Sequence, residues 1–160
     1  FYASPFRQTI KLEADMIITA TGLNMEVAGD INIDIDGKNL DISSKMFYKS
    51  MMIADVPNMV VTFGYTNASW TLKADLTAEY TCRLINHIDK KGYDYCVAIT
   101  DETIEEDGVW LDFTSGYVER AKHKFPKQGA KAPWTNTQQY LSDLFAVRYG
   151  RIKDKDLKFF

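Results

Sequence analysis

The sequence is poor in the residues that metal or dithiol chemistry needs. Its two cysteines, Cys82 and Cys96, form no CxxC pair, so neither a redox dithiol nor a zinc knuckle is expected. Its two histidines, His87 and His123, are too few for a histidine-based metal centre, and no metal is expected. Charge of one sign is lacking too. Nineteen Lys and Arg against 22 Asp and Glu leave a net −3, which gives no bulk attraction for nucleic acid. No apolar run reaches the roughly 18–20 residues of a membrane span. Residues 1–6 lack the basic-then-apolar pattern of a secretory leader. The first residue is Phe1 rather than Met, so the chain reads as a piece of something longer, or as a processed or engineered product. Scarce cysteine fits a reducing compartment, and a cytoplasmic location is expected.

What is present is a globular composition. In 160 residues, 46% are hydrophobic and 13% aromatic, enough for one compact domain with a core of its own. Residues 15–20 hold a short apolar run that closes at Gly22, the pattern of a buried parallel strand. Residues 31–35 and 39–42 alternate around Asp36-Gly37, a strong hairpin signal. Residues 59–63 form a third strand candidate between Pro57 and Gly64.

Thr71 to Ile88 reads as a helix. Leu72, Leu76, Tyr80, Leu84 and Ile88 recur every four residues with Ile85 beside them, Ser69 or Thr71 caps the start, and Gly92 ends it. Residues 95–99 suggest another strand, and 101–107 an acidic, solvated loop. Thr114 or Ser115 caps a second helix that Pro126 closes, and 127–133 reads as loop. Asn136 caps a third helix, with Tyr140, Leu141, Leu144, Phe145 and Arg148 along one side. The tail from Leu157 to Phe160 is apolar enough to dock. Cys82 reads as a small buried residue, and the basic stretch of Arg120, Lys122, Lys124, Lys127 and Lys131 as a solvated face.

The segment with most chemical content is Phe63-Gly64-Tyr65-Thr66-Asn67-Ala68-Ser69-Trp70-Thr71-Leu72. A strand feeds a glycine turn, polar residues follow, and a helix begins. A helix start offers free backbone N–H groups and the positive end of a dipole. Such an end suits a ligand that carries or develops negative charge, but many α/β proteins have a strand-to-helix turn that faces no ligand, and the residues alone do not choose between the two.

From Val61 to Tyr80 the sequence resembles the last flavin-domain strand, turn and helix of bacterial flavin-containing monooxygenases, relatives of the Baeyer–Villiger monooxygenases. Residues 125–134 and the helix after them resemble the C-terminal end of the same proteins, and the likeness extends from about Phe6 onward. The resemblance implies an α/β parent with two dinucleotide-binding domains. There FAD is reduced by NAD(P)H and, with oxygen, oxygenates a nitrogen, a sulfur or a ketone of a small organic substrate. It further implies that Gly64, Tyr65, Thr66, Asn67 and Ser69 line the pyrimidine end of the flavin. Ala20, Thr21 and Gly22 would be the crossing between domains. Met51, Met52, Tyr65 and Trp70 would form a substrate-facing wall.

The two GxGxxG fingerprints of that family are missing, since the nine glycines never fall at that spacing. The expectation is therefore a single C-terminal fragment over 1–160, α+β in isolation, with a hairpin near 31–42 and about three helices. Residues 1–56 would close the nucleotide domain and return to the flavin domain. Residues 57–92 would be the last flavin-domain strand and helix, and 93–160 a helical extension. Alone it should bind no cofactor and be inactive. Its partners would be the missing N-terminal half or, through open strand edges, a second copy. A non-enzymatic interaction or ligand-binding domain derived from this fold is the alternative, and another two-domain flavoprotein, such as a disulfide reductase, a third reading.

Overall fold

The structure, a computed structural model, describes residues 13–20, 22–101, 104–111 and 115–160. Among them it is α+β: three α-helices and eight short strands that pair two by two. Every strand pair is antiparallel.

The hairpin expected at 31–42 is present. β1 (Ile33–Ile35) pairs with β2 (Lys38–Leu40), Ile33 opposite Leu40. The turn residues Asp36 and Gly37 take φ values of 52° and 78°, the conformation that makes Asp-Gly a favoured pair here. Gly37 donates its N–H to Asp34 Oδ1 at 2.8 Å.

The second hairpin carries no such signal. β3 (Phe47–Tyr48) pairs with β4 (Met52–Ile53) across Lys49 and Ser50, both at positive φ. Tertiary bonds hold that strained turn. Lys49 N–H donates to Pro133 O at 2.7 Å, and Ser50 Oγ receives the Trp110 indole N–H at 3.0 Å.

α1 (Trp70–Lys91) is the long element, and Gly92 closes it in the left-handed region at φ 69°. Leu76, Tyr80 and Leu84 are buried as the spacing predicts, whereas Ile85 is exposed. β5 (Cys96–Ala98) pairs with β8 (Leu157–Phe159), so the apolar tail docks as expected. β6 (Glu106–Val109) and β7 (Lys127–Gly129) form the last pair. α2 (Gly116–Ala121) and α3 (Tyr140–Leu144) are short, and α3 runs on into a π-helical turn over Phe145–Tyr149.

Several expectations are corrected. Residues 15–20 form no strand, and Met16, Ile17 and Ile18 are largely exposed, because no described strand lies beside them to accept their backbone bonds. Residues 59–63 are extended but unpaired as a strand; Val61 N–H makes a single bond to Met51 O at 2.8 Å. The acidic segment expected as loop contributes Glu106 and Asp107 to β6, and the 127–133 loop contributes β7. Cys82 is exposed and Cys96 is buried. Ser115 stands at the residue before α2 but its side chain makes no cap bond, Thr114 lies outside the described residues, and Asn136 caps no helix, since α3 starts after Gln139. Leu141 and Phe145, expected on the inner side of α3, face outward.

Two apolar cores result. One gathers Tyr48, Met51, Met52, Leu76, Tyr80, Leu84, Trp134 and Leu157 between α1, β3–β4 and β5–β8. The other gathers Phe47, Ile53, Val56, Trp110, Val118 and Phe125. The segment leading into α1 passes along this second core.

Candidate functional site

Phe63 enters the turn wedged among aromatic rings, 5.0 Å from Trp70 and 4.8 Å from Trp110 between centroids. An apolar cleft of about 70 Å³ opens beside it, lined in part by Val61, Phe63, Trp110 and Phe125. Gly64 is buried under the indole of Trp70, and a Cβ there would stand 2.3 Å from its ring carbons. The glycine is thus required by close approach rather than by a left-handed φ.

Beyond Gly64 the chain turns outward. Tyr65 is buried, while Thr66, Asn67, Ala68 and Ser69 are exposed at the head of α1. Ser69 is the residue before the helix. Its Oγ lies 2.7 Å from Thr71 Oγ1 and caps no backbone N–H.

The turn is held from below by the 136–143 segment. Gln138 Oε1 accepts the Thr66 N–H at 2.9 Å and the Thr66 hydroxyl at 3.1 Å. Asn67 Nδ2 donates to Gln138 O at 3.0 Å. Gln138 Nε2 in turn donates to Asn136 Oδ1, which also receives Ser50 Oγ, and Asn136 Nδ2 donates to Trp110 O. The exposed turn therefore connects through polar bonds to the second core.

Under Tyr65 lies a charged knot. Asp143 accepts the Tyr65 hydroxyl and the Lys73 ammonium, both at 2.7 Å, and the Thr137 hydroxyl at 2.8 Å. The Lys73 ammonium also sits 5.4 Å from the centre of the Tyr65 ring. Burial, and then the Asp143 carboxylate, push the Tyr65 phenol well above its ordinary range. Lys73 is 3% exposed although it is a lysine on an amphipathic helix. A charge within an apolar stripe, between Leu72 and Leu76, was the available sign of such a partner.

The structure thus brings Gly64, Tyr65, Thr66, Asn67, Ser69 and Trp70 together. Met51 and Met52 are core side chains at 0% exposure. Ala20 and Gly22 are exposed, and the stretch they belong to is anchored elsewhere: Arg120 donates to Leu23 O at 3.1 Å and Lys124 pairs with Glu26 at 2.6 Å. Thr21 lies outside the described residues.

A second, partly buried polar group joins Tyr48, Lys49, Tyr80 and Asp154. Asp154 accepts the Tyr48 hydroxyl and lies 3.3 Å from the Lys49 ammonium. It also accepts the backbone N–H groups of Asp156 and Leu157, each at 3.0 Å. Burial pushes Tyr80 up to about 12. Burial opposes ionisation of Asp154 as well, but the Tyr48 bond and the Lys49 charge outweigh it and hold the carboxyl below its usual range. This group fastens the β8 approach to the β3–β4 hairpin.

Among the described residues no cluster of His, Cys, Asp and Glu could hold a metal, and no helix is long and apolar enough to cross a membrane. With Thr66 and Asn67 engaged by Gln138, what the turn offers is the start of a 22-residue helix that the Ser69 side chain leaves uncapped, with the positive end of its dipole beside an apolar, aromatic wall. That donor set fits the electron-rich heteroatom edge of a flavin ring. It does not fit the pyrophosphate, which needs a glycine-rich cradle.

Comparison with known proteins finds relatives along nearly the whole chain. Over 149 residues the chain is 48% identical to the FAD-containing monooxygenase EthA of Mycobacterium tuberculosis, covering 93% of this chain and 30% of that protein. It is 48% identical over 149 residues to AlmA of Acinetobacter baylyi, which carries the name FAD-binding monooxygenase, covering 92% of this chain and 30% of AlmA. It is 37% identical over 150 residues to MymA of M. tuberculosis, named as an FAD-containing monooxygenase, covering 93% and 30%. Over nearly its whole length the chain is thus similar to part of these FAD-containing monooxygenases. It spans about 30% of the length of the curated relatives it matches. No protein-family model and no solved structure matches it.

Proposed function

We propose that this segment closes the pyrimidine edge of the flavin in an FAD- and NAD(P)H-dependent monooxygenase of small organic substrates, acting in the cytoplasm. The observation that carries the reading is the Gly64–Trp70 turn, buried at its glycine, exposed at 66–69, and fixed by Gln138 at the head of α1. When bound, FAD supplies the redox chemistry that NAD(P)H and oxygen drive. This chain's own residues orient the ring edge through backbone donors and the helix dipole. The apolar side chains of Phe63, Trp70 and Trp110 exclude water from one side. Oxygenation of a heteroatom or of a ketone is consistent with this role. Residues up to 56 would serve the return between domains, and 93–160 would brace the turn. Pyrophosphate and nicotinamide recognition would belong to the upstream part, so the 160-residue chain should neither hold FAD nor oxidise NAD(P)H.

The test is a visible spectrum after adding FAD and desalting, for this chain and for the full polypeptide that contains it. The expected result is a colourless chain and a yellow full polypeptide that couples NADPH oxidation to substrate oxygenation. A full polypeptide that never retains flavin would overturn the reading.

A further inference from the structure

The helix from Tyr140 to Tyr149 leaves its outer face uncovered. Leu141, Phe145 and Tyr149 lie four residues apart and are 67%, 63% and 71% exposed. The α-helical first half and the wider π turn of the second keep this spacing in one file, with the Phe145 and Tyr149 rings 6.0 Å apart.

The helix cannot roll to hide them. Its inner side is pinned to α1: Val147 is buried, Arg83 donates to Val147 O and, at 2.7 Å, to Gly150 O, and Arg148 pairs with Glu79 at 2.7 Å. Single exposed apolar residues are ordinary, but a file of three on a clamped helix marks a contact surface.

We infer that this stripe is where the upstream part of the same polypeptide docks. Relatives of this chain are more than three times its matched length, so most of such a polypeptide lies outside this structure. The stripe also starts beside the glycine turn. The Tyr140 ring is 6.3 Å from that of Tyr65, and Asp143 ties Tyr65 to the same helix. A body seated over Thr66–Trp70, where Trp70 is itself 53% exposed, continues directly onto Leu141. The inference takes from the flavin-facing reading of that turn only the direction from which the upstream part arrives; the docking itself rests on the exposed stripe and on the length of the relatives.

Hydroxyl-radical footprinting read by mass spectrometry tests it, on this chain and on the full polypeptide. Phe145 and Tyr149 should label readily in the chain and at least about five-fold less in the full polypeptide. Phe145→Glu, a substitution at an exposed site, should restore labelling of Leu141 and Tyr149 in the full polypeptide. Equal labelling in the two proteins would overturn the inference. So would protection in the chain alone that rises with its concentration, which would assign the stripe to a second copy. Protection appearing only with vesicles of phosphatidylcholine and phosphatidylglycerol would overturn it in favour of a lipid surface. Labelling requires neither bound flavin nor turnover. A full polypeptide that protects the stripe but holds no flavin therefore sinks the functional reading and leaves the docking surface standing.

Discussion

The indole of Trp70 occupies the space a side chain at Gly64 would need: a Cβ there would stand 2.3 Å from two ring carbons. The first residue of α1 is thus packed onto the residue that opens the turn, and the shape of the loop between them depends on that contact. Gly64→Ala must push the ring outward or open the turn. We expect a loss of about 1–3 kcal/mol by urea denaturation, the usual cost of overpacking. Trp70→Ala in the same chain should recover most of the loss, since it removes the obstructing ring. Additive costs in that double variant would contradict the contact.

Asp143 compensates a lysine that is almost out of water. The Lys73 and Asp143 side chains are 4% and 14% exposed. Asp143→Ala leaves the ammonium and the Tyr65 hydroxyl without their acceptor, and should cost about 3–5 kcal/mol. Converting the whole group, with Tyr65→Phe, Lys73→Met and Asp143→Leu together, should cost much less, because no uncompensated charge remains. Denaturant midpoints of the two variants decide the matter; a triple variant as unstable as Asp143→Ala would show that the knot shapes the fold rather than satisfying its own charges.

Asp154 makes part of the stability depend on acid pH. Its carboxyl is held below the usual range in the folded chain, so the folded state favours the charged form. Its contribution is present above the unfolded value of about 3.9 and is lost as pH falls through the folded value. Asp154→Asn should cost about 1.5 kcal/mol at pH 7, the low end for a charged hydrogen bond, because the side chain is 29% exposed. The gap between parent and variant should narrow steadily below about pH 4. A gap that stays constant down to pH 3 would rule out the Tyr48–Lys49–Asp154 linkage as its source.

How far these features could be read in advance differed by element, for physical reasons. The Asp36-Gly37 hairpin and the long helix ending at Gly92 were legible, because both are set by local conformational preference and spacing. The Lys49-Ser50 hairpin was not, since its positive φ values are imposed by partners about 60 to 100 residues away in sequence, among them Pro133, Trp110 and Asp154. The run 15–20 looks like a buried strand yet finds no strand partner in the described residues. For the site, the turn at Gly64–Ser69 was visible in the sequence as a glycine before a helix start. Its supports at Gln138, Asn136 and Asp143 were not, because single polar residues in a loop carry no periodic signal. Leu141 and Phe145 read as inner residues because the sequence offers apolar side chains on two adjoining faces of this helix; the bonds from Arg83 and Arg148 turn the face that holds Val147 toward α1 and leave Leu141 and Phe145 outside.

The two thiols should separate cleanly by reactivity. Cys82 is exposed on α1, whereas Cys96 is buried in β5 and burial pushes its thiol up. In the folded chain at pH 8, one equivalent of Ellman's reagent should react quickly and the second only after denaturant is added. Cys82→Ser should abolish the fast phase alone. Two fast equivalents would mean that β5 opens far more readily than its pairing with β8 suggests.

Gln138 offers the sharpest separation between bracing the turn and building the fold. Its Oε1 accepts the Thr66 N–H and hydroxyl, and its main-chain oxygen accepts Asn67 Nδ2. Gln138→Ala removes the exposed bonds to Thr66 and the part-buried bond from Nε2 to Asn136 Oδ1, so this chain should lose about 1 kcal/mol. In the full polypeptide the same change should loosen the turn against the flavin edge. The expected result is faster FAD loss on desalting and a shifted flavin absorption band, with the thermal midpoint of the apoprotein nearly unchanged. Gln138→Glu keeps an acceptor for the Thr66 N–H and should restore retention in part. If flavin retention instead follows the apoprotein midpoint across both variants, Gln138 acts through general stability and the turn has no special bearing on the cofactor.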